Sequence, residues 1–487
     1  MRAARPLFLL AAFALPAAVY IASVSPEPAS WDTAELQGVP YILGISHPTG
    51  FPLYVLLGYA WSHAIVIGSI AWRMNVMSAI VMGVTAATGF AVALEFGASM
   101  PAGLAATLWF AFTQNVWAHA IRAEAQDLAV ACSALAIYAF VRWLNGARDR
   151  WFAAAFALAG LGMAAHPNAL WILPALLLGA AIAKKRPPAR LVAGSLGLVV
   201  AALLLYAYLP LRSGYVVAHH LDPAGALTGD RGSVFWNYND PSTRHGLALE
   251  LTGTESKTPS YFLASLNPVH VGAAIWTFVD GSRREYGIVA TLLAIVGFGI
   301  ACRRDWRAAL VLVVACTAGL LFSVVYPNES DVGRYRLLAS WLAVPLLGAL
   351  TPHSRRSTGL ALHLALIGFL CAGAALSFQR HMSFFRHAPA EGGRWVIRNV
   401  RPWVPPGGVI ITSWLDATSL AYGAYVDGSL PGRIIISDDK LDLTRYRRFA
   451  KTRRIFVLVN PHQVGPVNGA EDYATLDGYH ELYAVKP

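Results

Sequence analysis

Residues 31–54 read WDTAELQGVPYILGISHPTGFPLY. Asp32, Glu35 and His47 stand here just past the first apolar run long enough to cross a bilayer, so the fold turns on what surrounds them. Of the 487 residues, 56% are hydrophobic and 13% charged, against roughly 25% charged in soluble proteins. Apolar runs recur along most of the chain, and about 20 such residues cross about 30 Å of hydrocarbon. The sequence is that of a polytopic membrane protein. A formal charge of +11 could suggest a nucleic-acid partner, but Lys and Arg cluster in short connectors between apolar runs. That is the positive-inside bias of a membrane protein, and nucleic acid is set aside. Cys132, Cys302, Cys316 and Cys371 lie within or at the ends of apolar segments without C-x-x-C spacing, as small buried hydrophobes do.

The opening MRAARPLFLLAAFALPAAVYIASV (1–24) has the basic head and apolar body of a signal peptide. Its apolar part is longer than a typical signal core and SVSPEP is a poor cleavage site, so it reads as an uncleaved span with Arg2 and Arg5 in the cytoplasm. The basic connectors NGARDR (145–150), AKKRPPAR (183–190), CRRDWR (302–307) and HSRRS (353–357) then all fall inside. Four apolar stretches, starting near Pro52, Trp72, Pro101 and Gln126, lie between the first outer loop (26–71) and residue 145. Four crossings would end on the wrong side, so one must not cross. PLYVLLGYAWSHAIVIG (52–68), with its Tyr, Trp and His, suits a helix lying in the interface. About eleven spans remain. Asp32, Glu35, His47, Glu124, His166, Arg212, Asp331 and Arg334 then share the outer membrane–water boundary, a sorting to which the choice of excluded stretch contributes.

A large outer loop is expected over 213–285. The membrane domain (1–377) gives way near residue 378 to ordinary polar composition, and 378–487 reads as a small soluble α/β domain. GGVIITSW and GRIIISDD are expected as buried strands forming a parallel strand–helix–strand unit, with LDATSLAYGAYVDG helical between them. TRYRRFAKT is expected as a basic helix, and RRIFVLVN and YHELYAVKP as further strands. No G-x-G-x-x-G, P-loop, G-x-S-x-G or kinase signature occurs, which sets aside nucleotide-driven and serine-hydrolase chemistry. Nor is there an H-x-x-H or H-E-x-x-H zinc spacing.

Each polar group has a chemical reading and a structural one. Asp32 and Glu35, at i and i+3, share a helix face and could serve as a base with a helper carboxylate or as metal ligands; equally, they suit the positive first turn of a capped helix. HPTG at 47–50 either offers the His47 imidazole to a phosphate or simply makes a turn before a helix. Glu124 is a candidate acid or the ion-pair partner of Arg122. His166 is a ligand or an interfacial histidine in a tight hairpin. Arg212 and Arg334 sit at outer span ends, where a positive-inside protein is poor in Arg. Their guanidinium forks suit phosphate oxygens, or they snorkel, with Asp331 available to Arg334 at i−3.

Taken in order, these blocks resemble the membrane proteins once filed as domain of unknown function 2723, a family that includes the eukaryotic transmembrane O-mannosyltransferase of receptor ectodomains. Its D-x-x-E, H-P-x-G-x-P-L-Y and R-x-N-x-x-S elements match through Asp32, Glu35, His47, Pro48, Gly50, Pro52, Leu53, Tyr54, Arg73, Asn75 and Ser78. RAEAQDLAV is similar to a later acidic segment through Glu124, with Gln126 where the family has Tyr. HPNALWILPAL, YLPLRSG, WNYNDPSTRHGLALELTG and, through Asp416, the tail's strand–helix segment follow in order.

The resemblance implies a GT-C glycosyltransferase: an α-helical polytopic membrane enzyme with a small C-terminal α/β extracytoplasmic domain and a sugar–polyprenyl-phosphate donor. In that frame Asp32 is the base for an acceptor hydroxyl. Glu35 is its partner or a second acceptor contact, and Arg334, Arg212 and His47 meet the donor phosphate. No cofactor is obligatory, a divalent metal is not excluded, and the partners are the lipid-linked sugar, membrane lipid and a protein or glycan acceptor. The expected location is the plasma (inner) membrane, or the endoplasmic reticulum in a eukaryote, with the N-terminus cytoplasmic and the C-terminal domain outside. The rivals are a transporter or flippase and a non-catalytic scaffold for surface glycan assembly. A transporter would want mid-membrane charges and repeated broken helices, and the sequence has neither.

Overall fold

The computed structural model describes residues 4–229, 232–253, 267–320, 329–352, 357–386, 392–459, 470–476 and 480–486. Side chains are described over the same residues except 270, 274, 329–331 and 383–386. The chain forms two compact units: 1–24, 78–205 and 256–387 make the first, and 25–77, 206–255 and 388–487 the second.

Among the described residues, six helices are long and apolar enough to cross a bilayer: Arg5–Ser23, Ile70–Glu95, Ala125–Leu144, Ala189–Ala218, Val271–Thr317 and Ser357–Met382. Met100–Ala111, Arg150–Ala165 and Pro167–Ile182 are shorter apolar helices. Burial separates the long ones. The apolar windows of Ile70–Glu95 and Ala125–Leu144 are 78% and 72% buried by protein, whereas those of Ala189–Ala218 and Ser357–Met382 are 17% buried. Exposed apolar helices of that length are what a lipid-facing surface requires.

Small residues make the interior of the first unit. Helix Arg150–Ala165 approaches the 189–203 helix at Gly160, where a Cβ would lie 2.9 Å from Val199 Cα, and Gly162 packs on Cys132 and Ala169. Close backbone approach through Gly and Ala is how helices associate where no hydrophobic force drives them together. Large aromatics then pin the bundle by single polar atoms: Tyr20 donates to Ala111 O (2.7 Å) and Trp341 to Thr85 O (2.9 Å).

The helix Pro268–Thr317 contains two breaks, at Gly287 (φ 78°) and Asp305 (φ −153°). At the second, Asp305 accepts from the N–H groups of Arg307 (2.9 Å) and Ala308 (3.4 Å), starting a new helix inside the CRRDWR connector. The helix begins at Pro268, so the last part of the expected 213–285 loop is helical.

In the second unit, β1 (Val409–Thr412), β2 (Ile434–Ser437), β3 (Ile455–Val459), β4 (Ala470–Thr475) and β5 (Glu481–Val485) form one sheet in the order β2-β1-β3-β5-β4. β1 is parallel to β2 and β3, while β5 is antiparallel to β3 and β4. Alternation sends Ile410, Ile435, Phe456 and Leu458 to one face and Ile411, Ile436, Val457 and Val459 to the other. Both faces are covered, as parallel strands require. The first is met by Leu420 and Ile397, and also by Val39, Val55, Ala71 and Phe235 from earlier in the chain. That shared core is why 25–77 and 206–255 fold with the C-terminal residues, where a boundary near 378 had been expected from composition. TRYRRFAKT is not one helix: Leu443–Arg445 is a 3-10 turn and Arg447–Ala450 a single α turn. Strand β4, too polar to stand out (AEDYAT), was not anticipated.

PLYVLLGYAWSHA forms the helix Pro52–Ala64 of 13 residues, too short to cross unaided at about 1.5 Å per residue.

Candidate functional site

Helix Trp31–Ile42 begins at Ser30 and carries Asp32 in its first turn, where the unpaired N–H groups of a helix start favour a carboxylate. Asp32 is half-buried, and its Oδ1 accepts a hydrogen bond from the Trp414 indole N–H at 2.8 Å. Trp414 opens the helix that follows β1. Its ring stands edge-on to His47 (centroids 5.8 Å apart) and to Tyr238 (5.7 Å). The C-terminal α/β residues therefore contribute directly to the surroundings of Asp32.

Glu35, one turn further on, is different. It is fully buried, accepts the His47 backbone N–H at 2.8 Å through Oε1 and pairs with His47 Nδ1 through Oε2. Burial pushes its carboxyl above the ordinary 4.5; His47 opposes this, and the charge of Asp32 adds to it. A side chain so enclosed cannot be a second acceptor contact. Glu35 ties the HPTG turn to the helix that carries Asp32. The turn is closed by Gly50 N–H donating to His47 O (2.9 Å), with Gly50 at φ 75° and Leu209 so close that a Cβ would collide.

A pH dependence follows from Glu35. The folded chain holds its proton to higher pH than the unfolded chain, so its contribution to stability is complete below pH 4.5, the ordinary value, and is lost as pH rises through the raised folded value. Glu35→Gln should therefore show a flatter fall in melting temperature between pH 4.5 and neutrality than the unsubstituted chain. Parallel curves would mean that the burial of Glu35 has no titration consequence.

The R-x-N-x-x-S helix is the scaffold for these groups. Arg73 donates to the carbonyls of Ser62 (2.9 Å), Val66 (3.1 Å), Ile67 (3.2 Å) and Gly68 (3.1 Å), fixing the loop before it. Asn75 accepts from Gln37 (3.1 Å) and donates to Ser25 O (3.0 Å), clamping the Asp32 helix from behind. Arg212, expected at a phosphate, has another task. Its Nε donates to Leu43 O (2.5 Å) and its Nη2 to Ile42 O (3.0 Å), capping the carboxyl end of the same helix, where a cation suits the dipole.

The first unit holds its own charge cluster. Glu124 N-caps helix Ala125–Leu144 by accepting from Gln126 N–H (3.3 Å), while its own N–H donates to Ser78 Oγ (3.2 Å). Its carboxylate lies 3.6 Å from Arg334 and 3.8 Å from Arg122. Both Glu124 and Arg334 are buried. Among the described residues Arg334 thus pairs with Glu124, far away in sequence; the side chain of Asp331, the local candidate, lies outside the described residues. Asn115 donates to Gly333 O (3.0 Å), holding the turn that carries Arg334. His119 Nδ1 donates to Asn115 O (2.7 Å), and burial, then the charge of Arg122, push its pKa well below the ordinary 6.5, with Arg334 adding to this. His119 is therefore neutral. Asp127 is fully buried, and its carboxylate has no hydrogen-bond partner among the described residues. His166 accepts from Asn168 N–H (3.1 Å) as the cap of its hairpin turn and rests against Tyr335. Asp416, matched through the resemblance, pairs with His480 at 3.5 Å inside the α/β domain. Among the described residues no three His, Cys, Asp or Glu side chains converge in a way that would hold a metal.

Trp414, Asp127 and His119 were missed as site residues. Asp127 had a signal, since Glu124 and Asp127 repeat the i, i+3 acidic spacing of Asp32 and Glu35. Trp414 had none beyond its place two residues before Asp416.

The opening block is also what known proteins share with this chain. Residues 32–188 match the family model described as the N-terminal domain of protein O-mannosyl-transferase TMEM260. The curated mouse (Mus musculus) protein O-mannosyl-transferase TMEM260 is 29% identical over 335 residues, covering 66% of this chain and 44% of the mouse protein. The match thus spans less than half the length of that relative. Among solved structures, apo ArnT from Cupriavidus metallidurans aligns over 100% of both chains at a TM-score of 0.54 and 12% identity. The same protein bound to undecaprenyl phosphate aligns over 99% of this chain and 98% of its own at a TM-score of 0.50 and 12% identity. The resemblance is to the transmembrane O-mannosyltransferases, and the fold is that of ArnT. Asp32, Glu35, His47, Arg73, Asn75, Ser78 and Glu124 all lie within the stretch that matches the TMEM260 N-terminal domain, and the chain is a multi-pass membrane protein.

Proposed function

We propose that this chain is a membrane glycosyltransferase that moves a sugar from a polyprenyl-phosphate donor to an acceptor hydroxyl on the extracytoplasmic side. One observation carries the assignment of its base: of the two carboxylates in the opening helix, Glu35 is sealed and engaged with His47, whereas Asp32 keeps a partly open carboxylate oriented by Trp414. Asp32 takes the proton from the acceptor hydroxyl as its oxygen bonds to the anomeric carbon. The bond from that carbon to the phosphate oxygen breaks, its electron pair leaves with the polyprenyl phosphate, and the anomeric centre inverts. A positioned base of this kind contributes typically about 10²–10⁴ in rate. Charge grows on the departing phosphate, and fixed cations stabilise it; Arg334 is the candidate. His47 and Arg212 act by holding the Asp32 helix rather than the donor. No metal is assigned a role.

Undecaprenyl phosphate in ArnT supports a polyprenyl carrier. The mouse relative's name supports mannose as the sugar and a protein as the acceptor. By the positive-inside rule the N-terminus is cytoplasmic and the α/β residues extracytoplasmic. The test is purified full-length protein supplied with radiolabelled polyprenyl-phosphate mannose and a panel of hydroxyl acceptors. Label should move to an acceptor with equimolar release of polyprenyl phosphate. Transfer from a nucleotide sugar alone, or release of lipid phosphate without label reaching any acceptor, would overturn the reading.

A further inference from the structure

Three basic connectors converge at one end of the first unit. A cavity of about 560 Å³ opens there, lined by Glu95, Asn145, Gly146, Lys184, Arg304 and Asp305. Each lies where an apolar helix stops: Glu95 ends Ile70–Glu95, Asn145 caps Ala125–Leu144, Lys184 follows Ile172–Ile182, and Asp305 is the break within Pro268–Thr317. Helix ends of that kind lie at the boundary between hydrocarbon and water.

Both carboxylates in the lining are already engaged. Glu95 meets Arg142 at 3.1 Å and Arg5 at 3.8 Å and accepts from Asn145 Nδ2 at 3.0 Å. Asp305 accepts from the N–H groups of Arg307 (2.9 Å) and Ala308 (3.4 Å). Lys184 approaches Asp305 only to 3.9 Å and is 73% exposed. Arg304 donates to the carbonyls of Phe96 and, at 3.4 Å, Thr351; Arg307 donates to Ile182 O at 2.8 Å. In the lining itself Lys184 and Arg304 balance Glu95 and Asp305, and the excess comes from Arg5 and Arg142 behind Glu95 and Arg307 beside Asp305. Three helix carboxyl ends also point here, each worth roughly half a negative charge, and the cavity keeps a positive surplus. Its wall is apolar at Phe96, Val141 and Leu144, as a glycerol backbone would need.

We propose that this cavity binds the phosphate of an anionic phospholipid headgroup at the cytoplasmic face, where the positive-inside rule puts these connectors. Basic pockets between spans on that side suit such headgroups, and a cavity of this volume is within the ordinary range for small-molecule sites. Lys184, exposed and loosely paired, closes on the phosphate.

The test uses the purified full chain, stripped of lipid in detergent and then given phosphatidylglycerol, phosphatidylcholine or inorganic phosphate. Native mass spectrometry and melting temperature are the readouts, so the outcome does not depend on sugar transfer. Phosphatidylglycerol should be retained and raise the melting temperature, and phosphatidylcholine should do neither. One basic residue beside an anionic lipid contributes about fivefold in binding, so Lys184→Glu should weaken retention by roughly thirtyfold and Lys184→Ala by roughly fivefold. Unchanged retention in the alanine variant overturns the proposal, with the glutamate variant serving only if it folds. Equal effects of inorganic phosphate and phosphatidylglycerol would show a free-anion site and overturn the lipid assignment.

Discussion

Asp32→Asn should abolish measurable sugar transfer while leaving expression, membrane insertion and melting temperature unchanged. Asparagine has the same shape, and its amide oxygen still accepts the Trp414 indole N–H that Asp32 accepts at 2.8 Å, so the helix start keeps its tie. What is lost is the ability to take a proton, which should lower the rate by about 10²–10⁴. Glu35 cannot substitute, because it is fully buried and held by His47. The measurement is the initial rate of polyprenyl phosphate release with acceptor present. Retained transfer would remove Asp32 from the role of base, and retained transfer in the Asp32→Asn/Glu35→Gln double variant would take proton abstraction away from this helix altogether. Trp414→Phe is the companion variant. It keeps an aromatic ring against His47 and Tyr238 but removes the donor to Asp32, so it should lower kcat while leaving the donor KM near its starting value. A fall in stability with kcat intact would make Trp414 a packing residue only.

The contrast between Asp32 and Trp414 shows what the sequence could and could not carry. Local chemistry was legible: the i, i+3 pair, the proline-fixed turn before Pro52 and the strand–helix–strand alternation after residue 408 are all set by neighbours within a few residues. The partners of the functional groups were not. Trp414 lies 382 residues from Asp32, Arg334 meets the distant Glu124, and Arg212 caps a helix 169 residues earlier. Hydropathy has the same limit. It identifies Ala125–Leu144 and Ser357–Met382 alike as apolar spans, but only packing shows that one is 72% and the other 17% buried. The joining of three separated chain segments into the second unit is also a packing result, because Val39 and Val55 complete a core begun by Ile410 and Phe456.

For Arg334 the decisive experiment separates charge balance from chemistry. Its guanidinium lies 3.6 Å from Glu124 with both side chains nearly sealed, so Arg334→Met alone leaves the buried carboxylate with Arg122, at 3.8 Å and partly exposed. Leaving a buried charge with no partner costs about 3–5 kcal/mol; with Arg122 retained, a smaller but measurable drop in melting temperature is expected. Loss of transfer in that variant would therefore prove little. Adding Glu124→Gln restores the cluster's original net charge and keeps an acceptor for the Gln126 N–H, so the double variant should recover most of the melting temperature. If Arg334 only balances Glu124, transfer recovers with it. If Arg334 stabilises the departing phosphate, the double variant stays about 10²–10³ below the unsubstituted rate, the usual loss for one transition-state donor, while Glu124→Gln alone keeps its transfer. Inactivity of the Glu124→Gln single variant would move the loss to Glu124, and a fully active double variant would leave the phosphate without its assigned cation.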